Sequence, residues 1–424
     1  MNKFIKTFIL LLFAFLTFGS STSWGKQIQL PVIPNAKFDV TKYGASTSSA
    51  DNAEAIQKTI DACSDAGGGS VVIPAGTYMC GPLMMKSHVN LYVSKGAMLK
   101  MLPYGNGNGI EPNTFPNNGT PNKYPHFIGG NNVHDIMVSG EGIIDGQGAE
   151  WWKIIRDKSI PDIKRGCIIR WENCKRMEVK DITLQNSPNV HITIGKGSTD
   201  ATITHVTIKA PNDSPNTDGI DTWAQNINIS YCNISTGDDN VAMDRESSNI
   251  TIKHCKFGFG HGCSIGSFTT NVNNVLVDSC DFKNTTSGIR MKSNRGRGGN
   301  EQNITYSNIT MDGVKFPIFI SSYYPKPPKE ASDADQSCSV DEKTPGWKDI
   351  TIRNVKATNC TNNLFIWGLP ELHVSNILLE NVKIESAKGI TINYADNVNI
   401  KNSQFSVADK YIIQIFKSIV NGLN

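Results

Sequence analysis

Residues 227–234 read Ile227-Asn228-Ile229-Ser230-Tyr231-Cys232-Asn233-Ile234. The same arrangement returns at Ile250-Thr251-Ile252-Lys253-His254-Cys255-Lys256-Phe257 and at Val275-Leu276-Val277-Asp278-Ser279-Cys280-Asp281-Phe282. The template is apolar, any, apolar, two polar, apolar or cysteine, any, apolar. Earlier copies begin at Met177 and Ala201, and weaker or later ones at Ile304, Ile350, Ile377 and Val398. Nine copies result, most of them 21 to 29 residues apart. Each holds two short segments that alternate at period two, the signal of a strand with one face buried. Asn, Asp, Gly and Ser crowd the stretches between, as turns require. On a helix the same apolar residues would scatter around the axis. The arrangement that buries them is a coil of short parallel strands, with turns stacked at roughly 4.8 Å. No single turn covers its own apolar face, so stacking supplies the core. The chain is expected to be all-β, a parallel β-helix.

An open solenoid end exposes unpaired strand edges, so covers are expected. Ala53 to Ala66 has helical periodicity, with Asp51 as N-cap and Gly67-Gly68-Gly69 as a stop, and reads as a short N-terminal capping helix. The apolar run Tyr411 to Val420 is expected to cover the other end. Ten cysteines are present. Cys232, Cys255 and Cys280 hold one template position that takes Ile or Val elsewhere, which predicts an inward stack of thiols. Cys63 with Cys80 and Cys338 with Cys360 are candidate bridges near irregular segments. Asn-x-Ser/Thr sequons, as at Asn118, Asn228 and Asn303, fall mostly in repeat turns, where Asn is expected for backbone reasons.

Lys3 and Lys6 precede an apolar stretch from Phe8 to Phe18, followed by the small residues Ser20, Ser21, Ser23 and Gly25. Residues 1–25 therefore read as a secretory signal peptide, too short for a membrane anchor, and the protein as secreted or periplasmic. Residues 26–424 read as one β-helix domain, whose core lengthens without thickening. The net charge of +3 falls near neutrality once Lys3 and Lys6 are removed. No basic stripe for nucleic acid is present, so an anionic partner must be held by local basic residues. Capped ends suit a monomer.

Four polar groups interrupt consecutive turns: Asn216-Thr217-Asp218, Gly237-Asp238-Asp239, Gly260-His261-Gly262 and Arg290-Met291-Lys292. Their ionisable residues fall 9 to 14 residues before the next copy of the template, so similar phase places them on one face of the stack. Singly each has an ordinary reading as a solvated turn or exposed strand; four in phase do not. Asp221 and Asp244 flank the cluster and read as structural. The set suits glycosidic cleavage, in which one carboxylic acid protonates the leaving oxygen and a carboxylate activates water or attacks directly. Crowded carboxylates repel, so one keeps a proton to donate, and His261 can adjust it. Arg290 and Lys292 suit an anionic sugar, with Arg295 and Arg297 adding positive charge beside them. The implied partner is an acidic polysaccharide, with neither cofactor nor metal.

At these four motifs the sequence resembles the polygalacturonases of glycoside hydrolase family 28. Phe38 to Gly44 and Gly140 to Gly148 extend the likeness, which covers most of the chain after residue 25. The resemblance implies a right-handed β-helix acting on galacturonan. It implies Asp238 as general acid, Asp218 and Asp239 holding and activating water with inversion, and His261 tuning the acid. It further implies Arg290 and Lys292 on substrate carboxylates, with Asn216 and Tyr324 lining the cleft. Fungal and plant relatives usually carry a cysteine where this chain has Asn240, so no disulfide is expected beside the site. The irregular stretches Tyr104 to Tyr124 and Ser321 to Trp347 are expected to wall the cleft, and a wall closing one end would favour trimming of chain ends. A Ca²⁺-dependent pectate lyase, a hydrolase of rhamnogalacturonan or xylogalacturonan, and a non-catalytic carbohydrate-binding β-helix are the alternatives.

Overall fold

The computed structural model describes residues 28–104, 126–159, 165–330, 336–408 and 413–423. The leader at 1–25 and nearly all of the stretch 104–124 lie outside them. Most template copies become two strands separated by a bend, those at Ile304, Ile350 and Ile377 run through as the single strands Asn300–Asp312, Gly346–Cys360 and Val374–Ser386, and a third short strand closes the turn. One turn comprises Gln225–Ser230, Asn233–Ser235 and Val241–Met243; the next comprises Ser248–Lys253, Lys256–Gly258 and Cys263–Ile265. All three pairs are parallel and in register. The first two strands of each turn join a sheet of 23 strands, and the third joins a sheet of 12. The molecule is a right-handed parallel β-helix.

Inward residues align from turn to turn. Ile203, Ile229, Ile252, Val277, Tyr306, Ile352, Leu379 and Ile400 form one such column, all buried. Burying each aliphatic member contributes about 1.5–3 kcal/mol before the entropy of ordering is subtracted. Cys232, Cys255 and Cys280 are buried in the core as the template requires.

The start of each turn's first strand carries a second regularity. Asn226, Asn249 and Asn274 adopt φ of 58°, 55° and 55°, a left-handed conformation that Asn tolerates better than most residues. Their amides form a ladder: Asn249 Nδ2 donates to Asn226 Oδ1 at 3.0 Å, and Asn274 Nδ2 to Asn249 Oδ1 at 2.5 Å. Asparagine at these strand starts is therefore structural.

The N-terminal cover is a helix at Ala53–Asp65 whose Ile56, Ile60 and Cys63 pack into the core. Its capping differs from expectation. Asn52 is the N-cap residue and makes no side-chain cap bond. Asp51 instead accepts from the N–H groups of Ala53 and Gly81, both at 2.8 Å, tying the helix start to the first turns. The C-terminal run does not form a lid. Ile413–Phe416 is a strand paired with Ile390–Asn393, so the segment extends the coil and leaves Ile413, Ile415 and Ile419 exposed. The candidate bridges are absent: all ten cysteines are free. Cys63 and Cys80 both point into the core, where Cys80 Sγ donates to the Gly81 carbonyl at 3.1 Å. Cys338 lies on an exposed segment while Cys360 is buried in the coil. A second helix, Ala149–Asp157, was not anticipated; it buries Trp151 and Trp152, and Trp152 Nε1 donates to Ser187 O at 3.0 Å. No helix among the described residues is long and apolar enough to cross a membrane.

The ladder makes a measurable claim. Asn249→Ala should lower unfolding free energy by about 1–2 kcal/mol, from left-handed strain plus lost amide bonds. Asn249→Gly should recover part of that loss, and urea denaturation of the two variants checks both.

Candidate active site

The sheet of 12 strands carries the site on its outer face. Ile220, Val241 and Cys263 pair in register on successive turns, and Asp218, Asp239 and His261 each precede them by two residues. Three ionisable groups thus enter three neighbouring rungs at the same point. Asp238 comes one residue earlier, in the turn. Arg290 and Lys292 lie further along their strand: Ser264 pairs with Arg290, and Arg290 and Lys292 pair with Phe319 and Ser321. Similar sequence phase therefore brought the groups to one face, but the two cations reach back to the acids across the strand.

Asp239 is where they meet. Its side chain is 4 % exposed, and Arg290 Nη1 donates to Oδ1 at 2.7 Å while Lys292 Nζ donates to Oδ2 at 2.7 Å. Ser264 Oγ donates to Oδ1 at 2.6 Å. Burial opposes the charge of this carboxylate, yet Lys292 and Arg290 outweigh it and hold Asp239 well below the usual carboxylate range. Asp218 behaves in the opposite way. Partly open at the surface, it is pushed well above that range by desolvation and by the negative charges of Asp221, Asp238 and Asp239. Asp221 and Asp244 are raised too, chiefly by burial. The face holds more carboxyl groups than it can hold charges, so protons reside on some of them.

His261 Nδ1 lies 2.9 Å from Asp238 Oδ1 and 3.5 Å from Asp239 Oδ1. Burial disfavours the imidazolium, but the two carboxylates prevail and raise His261 from 6.5 to about 9. His261 thus keeps its proton at neutral pH, 2.9 Å from Asp238. Asn216 Nδ2 donates to Asp238 Oδ2 at 3.3 Å. The ring of Tyr324 has Lys292 Nζ 5.5 Å from its centroid, so every residue expected at the site is brought to it.

Two participants were missed by the sequence reading. Arg165 donates through Nη2 to Asn216 Oδ1 at 2.8 Å, and through Nη1 to the carbonyls of Pro188 and Pro215 at 2.9 and 2.7 Å. It fixes the loop that presents Asn216, and nothing in its local sequence marks it. Ser264, two residues beyond Gly262, was legible only through its register with Arg290. Arg295 does not add free charge: Nε and Nη2 bind Glu371 at 2.5 and 2.9 Å.

Asp238, Asp239 and His261 place potential ligand atoms within 4.8 Å of one another, close enough for a metal ion. Both Asp239 oxygens already receive cationic donors, so its charge is balanced and a divalent ion would meet Arg290 and Lys292. The geometry favours acid–base chemistry over a cation site.

The sequence profile of the glycosyl hydrolases family 28 matches residues 63–407. The chain belongs to this family. It is 33 % identical over 406 residues to an endo-polygalacturonase of Pectobacterium parmentieri, an alignment covering 90 % of this chain and 95 % of that one. The solved polygalacturonase of Erwinia carotovora superposes with a TM-score of 0.69 at 29 % identity, covering 94 % and 100 % of the two chains. The exopolygalacturonase of Thermotoga maritima shares the fold with a TM-score of 0.75 at 20 % identity, covering 89 % and 94 %. Membership makes the protein a glycoside hydrolase.

The raised His261 has a stability consequence. A group whose folded value exceeds its unfolded value stabilises the fold fully below the latter and loses that contribution as pH rises through the former. Urea midpoints should therefore fall between about pH 6.5 and 9 in the native protein, and His261→Asn should flatten that decline. An equal decline in both proteins would place the cause elsewhere.

Proposed function

We propose that this glycoside hydrolase cleaves the galacturonosyl linkages of de-esterified galacturonan, acting outside the cytoplasm as a single catalytic unit over residues 26–424. One observation carries the reading: two cations, Arg290 and Lys292, stand beside an acid pair and both form their ion pairs among the described residues with the single carboxylate of Asp239. A neutral sugar would gain little from such a pair. A galacturonate carboxylate, by contrast, matches the fork of Arg290 and the point charge of Lys292.

The chemistry follows from the same contacts. Asp238, next to imidazolium His261, delivers a proton to the leaving glycosidic oxygen, and His261 replenishes it. Asp239 is the anionic base for the attacking water, with Asp218 holding that water from the neighbouring rung; inversion follows from the family resemblance. Substrate carboxylate drawing Arg290 and Lys292 toward itself weakens their hold on Asp239 and raises its basicity as the sugar binds. The site thus couples substrate charge to activation of the base.

Polygalacturonate digested in EDTA should yield new reducing ends without the ultraviolet absorbance of unsaturated ends. Asp238→Asn should lower kcat by at least about a hundredfold. Monomer alone as product would identify action at chain ends, and mixed oligomers internal cleavage. Absorbance appearing only when Ca²⁺ is restored would identify a lyase and overturn the proposal. Products from a branched pectin but none from galacturonan would move the activity to a rhamnogalacturonan or xylogalacturonan.

A further inference from the structure

Each short strand of the catalytic face has two ends: the acids and His261 enter at one, and Arg290 and Lys292 reach back to them from further along their own strand. The exit ends carry aromatic and cationic side chains. Asp218 enters the rung that Trp223 leaves, Asp238 and Asp239 enter the rung that Arg245 leaves, and His261 enters the rung that Phe268 leaves. Beside these exits lies a cavity of 980 Å³ whose lining includes Arg170, Lys196, Trp223 and Arg245.

The exit side is organised by ring stacking and by one carboxylate. The guanidinium of Arg170 sits 5.1 Å from the Trp223 ring centroid; those of Arg245 and Arg297 sit 4.5 and 4.4 Å from that of Phe268, a residue 37 % exposed. Asp244 joins the two rings, accepting from Trp223 Nε1 and from the Phe268 backbone N–H, each at 3.2 Å. That is the structural role of Asp244. The charges are not equally available. Arg170 is bound to Glu172, with Nε 2.9 Å from Oε1, and Glu246 accepts from Asn271. Arg245, Arg297 and Lys196 form no ion pair among the described residues, and the Arg297 guanidinium donates through Nη1 to Ser267 Oγ at 3.1 Å. A guanidinium laid on a ring keeps its N–H edges for an acceptor and has little freedom left to lose on binding.

We propose that Arg245 and Arg297, stacked on Phe268, form with the adjoining cavity a distal subsite for the carboxylate of a galacturonate unit removed from the cleaved bond. The inference rests on the galacturonan reading and extends it. Asp239 and Arg245 lie at opposite ends of one rung, at most about 20 Å apart along the backbone, a span of a few sugar units. A chain crossing the face reaches this subsite only when it is long enough, so Arg245 and Phe268 govern dependence on chain length and take no part in bond cleavage.

The test is the kinetics of Arg245→Ala and Phe268→Ala on the shortest oligogalacturonate that the wild type cleaves and on successively longer ones. On the shortest, both variants should match the wild type. On the longer ones kcat/KM should fall by about tenfold through KM, the loss of one charge-assisted contact. Arg245→Lys should restore part of that loss. Equal losses at every length, or none at any length, would overturn the subsite. A wild type inactive on every oligogalacturonate would sink the galacturonan reading itself, and the subsite with it.

Discussion

The structure depends on parallel strands stacked in register along one axis. Every strand in a turn is paired with its equivalents above and below, so the position of a residue within its turn fixes the height and side on which it stands. Slipping one rung by a residue would send Ile229 and Ile252 to solvent and move Asp239 out of reach of Arg290 and Lys292. The asparagine ladder at the strand starts guards against that slip, because only one register lets Asn226, Asn249 and Asn274 bond to one another.

On this frame the catalytic face concentrates acidic groups that would not otherwise tolerate proximity. The protein resolves the repulsion unevenly. Asp239 receives two cations and a hydroxyl and remains an anion; at Asp218 burial and the neighbouring acids outweigh the pull of Lys292 and drive it toward its neutral form. Asp238 shares its surroundings with an imidazolium. Asp218 and Asp239, chemically identical side chains, thereby acquire opposite protonation behaviour from their neighbours alone, which is what acid–base hydrolysis needs. The clamp on Asp239 also answers why Arg290 and Lys292 can be kept, largely buried, without substrate: each already has a counterion.

Much of this was legible in the sequence because a solenoid converts spacing into geometry. The template at Ile227, Ile250 and Val275 gave the turns, and phase alone collected Asp218, Asp238, Asp239 and His261. What escaped it depended on contacts that periodicity does not encode. Arg165 reaches Asn216 from a loop outside the repeat, and Glu371 neutralises Arg295 across 76 residues of sequence. The helix Ala149–Asp157 is amphipathic but interrupts a β pattern with two tryptophans, and was passed over. The run to Val420 is apolar enough for a lid, yet its alternation made it one more rung. The cysteines misled for a related reason: Cys63 and Cys80 sit near irregular segments in sequence, but both face the core as thiols.

The central claim is that Arg290 and Lys292 hold Asp239 as the anionic base of the unliganded enzyme. The most direct measurement is an NMR titration of the ¹³C-labelled Asp239 carboxyl, in the native protein and in the doubly substituted Arg290→Gln, Lys292→Met protein. Native Asp239 should show no protonation through the normal carboxylate range, and the substituted protein should take up a proton at far higher pH. A native carboxyl that titrates like an ordinary aspartate, unmoved by loss of both cations, would contradict the claim.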